Sequence, residues 1–150
     1  MLLRARLRPY KHAILRGYIS YEGLQEPKQI AFLIDTGCTV TTILPSDIIR
    51  LGINCNKLPL SSTVVRTGSG NIRPHIMSNV ALFFQGRSGF LNLYQGFLSF
   101  TLDEIQCVRP ATGFVYNPVP VAQAPSILGM DFLSTFSKWK FTESHLILKT

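Results

Sequence analysis

The residues best suited to chemistry in this chain are Asp35-Thr36-Gly37, which follow the apolar run Gln29-Ile30-Ala31-Phe32-Leu33-Ile34. Six residues of mostly large apolar type are too few for a helix and read as a core strand, so one carboxylate sits at the tip of a buried strand. Gly37 turns the chain there, Thr36 can hydrogen-bond across a tight turn, and a glycine lets another backbone come close. A carboxylate so placed is a candidate general acid or base. Two of them held close cannot both ionise easily and share one proton, so that one activates water while the other donates to a reacting carbonyl. The chain has one such element. The other acids do not repeat the strand-and-turn context: Asp131 and Asp47 both belong to helix starts.

Other chemistries fit less well. Cys38 lies next to the turn but has no histidine base in reach of its motif, which argues against a thiol nucleophile. His12, His75 and His145 are scattered without metal-ligand spacing, so no metal site and no cofactor is expected. Gly68-Ser69-Gly70 lacks the lysine and the helix of a phosphate loop. Trp139 and the phenylalanines read as core.

Almost every segment that must position Asp35 reads as strand. His12 to Ser20 and Gln29 to Ile34 bracket a polar turn at Tyr21-Glu22-Gly23, and Glu26-Pro27 stops pairing there. Thr39 to Leu44 is β-branched and continues the sheet. Pro45 to Gly52 predicts a short helix, with proline at its start and glycine at its stop. Ile76 to Phe84 and Phe90 to Phe100 are further strands, 110 to 125 is loop-rich, and a last helix runs from Asp131 as N-cap to near Lys138. Ser144 to Lys149 closes the sheet. Leu3, Ala5 and Leu7 alternate with Arg4, Arg6 and Arg8, so residues 1 to 11 form a basic arm or edge strand.

Downstream, Ser126-Ile127-Leu128-Gly129-Met130-Asp131-Phe132-Leu133 is a short apolar strand that ends in glycine and runs into a helix start. Between the two motifs, Val64-Val65-Arg66-Thr67-Gly68-Ser69-Gly70-Asn71-Ile72 has two β-type arms around a glycine-rich tip. In this order, from about Ile14 to Ile147, the pieces resemble those of retropepsin-like aspartic peptidases. The resemblance implies an all-β closed barrel with one short C-terminal helix, spanning residues 1 to 150 as a single domain and active as a homodimer. It implies catalysis by Asp35, Thr36 and Gly37 of each subunit, with the hairpin as a flap whose Thr67, Gly68, Ser69 and Gly70 contact an extended peptide. It further implies that the chain ends pair between subunits. An alternative is a dimerising, peptide-binding module of the same fold that does not cut.

The sequence departs from the viral pattern in three places. Most relatives carry Ala or Ser after Asp-Thr-Gly, where this chain has Cys38, a weak donor. Viral members often pair an Asp two residues after that Gly with an Arg after the Gly of the Ile-Leu-Gly strand; here Thr39 and Met130 stand instead. Both partners are missing together, which points to a cellular, bacterial or archaeal, branch.

Composition agrees with one compact body. An apolar share of 46% and a charged share of 15% leave no room for a long disordered tail, and a chain of this length buries roughly 68–70% of its unfolded surface. No apolar run reaches the ~20 residues of a membrane span, and the first eight residues lack the apolar stretch of a secretory signal. Three cysteines, an odd number without paired spacing, fit free thiols in a reducing compartment, so a cytoplasmic location is expected. The net charge of +7 reads as a solvated face, and no nucleic-acid partner is expected.

Overall fold

The computed structural model describes residues 1–7, 12–67, 70–87, 94–110 and 124–150. In chain order these form β1 (Leu2–Leu7), β2 (Ala13–Ser20), β3 (Lys28–Ile34), β4 (Thr42–Ile43) and α1 (Pro45–Leu51). After a 3-10 turn at Cys55–Lys57 come β5 (Val65–Thr67), β6 (Gly70–Ile72), β7 (His75–Arg87) and β8 (Tyr94–Cys107). The chain closes with β9 (Ser126–Leu128), α2 (Met130–Leu133), β10 (Lys138–Phe141) and β11 (His145–Lys149).

Nine strands hydrogen-bond in the order β10-β11-β1-β2-β3-β9-β4-β8-β7, and β7 pairs again with β1 and β2. Those extra pairings bring the far edge back, so seven strands close into a barrel while β10 and β11 extend one side. Period-two burial drives this arrangement. In β2, Ala13, Leu15 and Ile19 point inward; in β7, Val80, Leu82 and Phe84 do the same, and all are buried. The interior is aromatic: Phe132 lies 5.4 Å from Phe84, 5.0 Å from Phe100 and 5.2 Å from Phe136, ring centre to ring centre. Each such ring contributes roughly 1.5–3 kcal/mol by burial. They pin α2, and with it the end of β9, onto the barrel.

Several expectations from sequence change in detail. The last helix is a single turn, with Gly129 rather than Asp131 at its N-cap. It stops early because the Thr135 hydroxyl donates to the Phe132 carbonyl at 2.7 Å, offering the backbone a competing bond. Lys138 to Phe141 is therefore free to form β10, where the sequence places the helix end near Lys138 and assigns no element to 139–143. The strand after the Asp35 turn is only Thr42–Ile43, because residues 39 and 40 bend to meet another segment. Finally, β1 is an interior strand and not an edge: it pairs with β11 over Leu2↔Lys149 to Arg6↔His145, and also with β2 and β7. Arg8 and Lys11 of the basic arm lie outside the described residues.

All three cysteines are free thiols. Cys107 is fully buried, and desolvation, helped by Cys55, pushes its thiol up to about 12 from 9.0. Below the ordinary value both folded and unfolded chains hold the proton, and stability is unaffected. Between 9.0 and about 12 only the unfolded chain ionises, so stability falls as pH rises, by about 1.4 kcal/mol per pH unit. Urea midpoints measured across the alkaline range should decline more steeply for the native chain than for Cys107→Ala. Equal slopes would mean that the thiol is accessible.

Candidate active site

The placement of Asp35 begins with a long-range pairing. β3 runs parallel to β9, with Phe32↔Ser126, Leu33↔Ile127 and Ile34↔Leu128 in register, so the two motifs far apart in sequence end side by side. The Asp35 N–H donates to the Leu128 carbonyl at 3.1 Å. Beyond that bond the chain turns back: Cys38 N–H donates to the Asp35 carbonyl at 3.2 Å, and Gly37 N–H donates to Asp35 Oδ1 at 2.8 Å. The turn thus aims the carboxylate with its own backbone. Asp35 is half-buried, and among the described residues Oδ2 has no protein partner. Thr36 is exposed, and its hydroxyl likewise meets nothing among the described residues.

The returning loop is clamped by the second motif. Met130 N–H donates to the Cys38 carbonyl at 2.8 Å, and Asp131 N–H to the Thr39 carbonyl at 3.1 Å. In the other direction Asp131 accepts from the Thr41 N–H at 2.9 Å, from the Thr41 hydroxyl at 2.8 Å and from Phe132 N–H at 2.8 Å. Thr41, fully buried, in turn accepts from Gly129 N–H at 3.2 Å. Asp131 is therefore a brace on the Asp35 loop rather than a helix cap. Only Gly fits at 129, since a Cβ there would stand 2.7 Å from the Cys38 carbonyl oxygen and 2.9 Å from the Val40 carbonyl carbon.

Two further side chains lie near this frame. The Cys38 thiol donates to the Val40 carbonyl at 3.0 Å, so the residue that replaces Ala or Ser serves its own loop and not the Asp35 carboxylate. Asp47 sits in the first turn of α1 and accepts from the Ser126 hydroxyl at 2.7 Å, while Ser126 Oγ accepts from Leu44 N–H at 3.0 Å. Arg50 pairs with the other Asp47 oxygen at 2.8 Å. That network ties α1 to β9. The Thr41, Ser126 and Asp131 contacts have no short-range signal, because their partners lie about 80–90 residues away.

The glycine-rich hairpin is present as a separate two-stranded unit, with Val65↔Ile72, Arg66↔Asn71 and Thr67↔Gly70 paired. Its tip, Gly68 and Ser69, lies outside the described residues. Gly70 has φ of +121°, a backbone region that side-chain-bearing residues resist. Among the described residues no hydrogen bond joins this hairpin to the Asp35 turn. A cleft of about 580 Å³ is lined by Ile48, Ile53, Asn54, Cys55, Arg109 and Pro110 and does not include Asp35. No cluster of three or more His, Cys, Asp or Glu able to hold a metal occurs among the described residues, and no helix there is long and apolar enough to cross a membrane.

No family model and no curated protein matches the sequence. Among solved structures, the chain is similar to a retropepsin-like aspartic protease from Rickettsia conorii, at 17% identity and a TM-score of 0.56, covering 99% of this chain and 89% of that one. With the closed barrel, the parallel β3–β9 pair and the short helix after Ile127-Leu128-Gly129, the chain has a retropepsin-like fold.

Proposed function

We propose that this chain is an aspartic endopeptidase that works as a homodimer, with Asp35 of each subunit at the two-fold axis. The observation that carries the reading is the Asp35 carboxylate itself, aimed by the Gly37 N–H and braced through Gly129 and Asp131, with Oδ2 left for chemistry. Two such carboxylates share one proton. The ionised one takes a proton from a bound water, whose oxygen attacks the peptide carbonyl carbon, while the protonated one donates to the carbonyl oxygen. Collapse of the resulting diol breaks the C–N bond and passes a proton to the leaving amine. Thr67, Gly68, Ser69 and Gly70 contact the peptide backbone from above and exclude water. Free thiols suit a cytoplasmic setting.

The test is digestion of an unstructured peptide library across a pH series. Cleavage should peak below neutrality, because the pair must keep one proton, and Asp35→Asn should abolish it. A folded dimer that binds peptides without cutting them would reduce the role to recognition. Activity that climbs steadily through about pH 8 would remove the shared-proton scheme.

Two substitutions check the supporting parts. Gly70→Val should cut turnover by at least about tenfold, since valine resists φ of +121° and stiffens the hairpin; the barrel, a separate sheet from β5-β6, should keep its melting temperature. Wild-type turnover would place the substrate cover elsewhere. Cys38→Ser should hold turnover within about fivefold, the equivalent of one hydrogen bond exchanged, because a hydroxyl can also donate to the Val40 carbonyl. A folded but inactive serine variant would give the thiol a direct role.

A further inference from the structure

Five strands of the large sheet, β1, β2, β7, β10 and β11, contain no Asp or Glu, and each carries at least one Arg or Lys. Cross-strand partners share a face, and the register puts all of those cations on one. Lys138 lies opposite Lys149, Lys149 opposite Leu2 and Leu2 opposite Arg87, a row that crosses four strands. Lys140, Ile147 and Arg4 form the next row, and His145, Arg6 and Ile14 the third, with Arg16 two residues beyond Ile14. The alternating positions Leu3, Ala5, Leu15, Leu146 and Leu148 are buried in the core. The cations are left with the outer face.

Little on the protein answers this charge. Among the described residues the one salt bridge joins Arg50 to Asp47, on α1. Arg87 donates to Gln85, while Arg4 Nε is buried with no hydrogen-bond partner among the described residues, a penalty that an incoming anion would relieve. Glu143 is exposed in the turn between β10 and β11, and Glu104, opposite Ser78, stands at the far end of β7 from Arg87. At one rim of the same face Tyr18 and Phe97 meet edge to face at 5.7 Å, and Phe97 is 53% exposed.

We propose that this face docks on an anionic lipid bilayer. Strands about 4.8 Å apart and alternate residues about 7 Å apart along each strand spread the cations over an area on the order of 15 by 20 Å. That two-dimensional array matches a layer of phosphate headgroups. A nucleic-acid strand offers its phosphates in a line, and its bases need rings to stack on. Here the aliphatic Leu2, Ile14 and Ile147 fill the places between the cations, and the ring pair stays at the rim. Lysine and arginine stems lie along such side chains while their heads reach the headgroups, and amphipathic rings settle at a membrane interface. The attachment is peripheral and owes nothing to the chemistry at Asp35.

Flotation with lipid vesicles tests this without reading activity. The native chain should bind vesicles of equal parts phosphatidylserine and phosphatidylcholine and ignore those of phosphatidylcholine alone; salt raised from about 0.1 to 1 M, which shortens the screening length from ~10 to ~3 Å, should release it. Lys138→Gln, Lys140→Gln and Lys149→Gln together should weaken binding on the order of 100-fold, about fivefold per charge. All three side chains are exposed, so circular dichroism should stay native. Lys28→Gln, Lys57→Gln and Arg73→Gln together remove the same charge from other exposed places and should cost less than about threefold. Equal losses in the two triple variants would make net charge, not this face, the cause and overturn the proposal. Equal binding to phosphatidylcholine alone overturns it too, as does binding to a thymidine oligonucleotide with none to vesicles. Asp35→Asn should float like the native chain, so a failure to cut peptides leaves the docking face standing, and a failure to bind vesicles leaves the peptidase reading untouched.

Discussion

Equal amounts of native and Asp35→Asn chains, mixed and left to exchange subunits, should retain about a quarter of the native activity at fixed total protein. An asparagine can neither take a proton from water nor hold the shared one, so Asp35→Asn alone should lose turnover by about 10³-fold or more. In the mixture only dimers with two aspartates count, and random pairing makes those about one in four. The expectation follows from geometry on a single chain: among the described residues Asp35 Oδ2 has no partner, and no other acid repeats its strand-and-turn setting. Asp131 is committed to Thr41 and Phe132, and Asp47 to Ser126 and Arg50. The measurement needs protein above the dimer dissociation constant and independent proof of exchange. Retention of half would show that each chain cuts on its own.

Gly129→Ala should be nearly as damaging, although it touches no reacting atom. The added Cβ would lie 2.7 Å from the Cys38 carbonyl oxygen and 3.0 Å from the Val40 nitrogen, and both neighbours are backbone, without a rotamer to yield. Overpacking of this kind costs about 1–3 kcal/mol. Here it also parts the Asp35 loop from β9, at the bonds from Met130 to Cys38 and from Gly129 to Thr41. A shift of about 1 Å in a catalytic group costs on the order of 100-fold in rate. Turnover should therefore fall further than the urea midpoint implies when both are measured on the same preparation. Equal losses in the two would make Gly129 a packing residue only, and no loss at all would refute the close approach.

Read alone, the sequence determined those features whose causes lie within a few residues. β3 and its Asp35 turn, the strands β2 and β7, and α1 between Pro45 and Gly52 all follow from residue type, proline and glycine. The hairpin at 65–72 followed from two β-type arms around glycines. Tertiary structure decided everything that depends on which distant segment supplies the partner. Asp131 reads as a helix cap until the fold brings Thr41 to it from 90 residues away. β1 reads as an edge until β11 covers it, and the segment after Lys138 reads as no element at all until β11 offers a strand to pair with. Backbone hydrogen-bonding groups must be satisfied by some neighbour, but local sequence does not say which one. The chain alone names the carboxylate at Asp35, and the fold sets Gly129 and Asp131 to hold it.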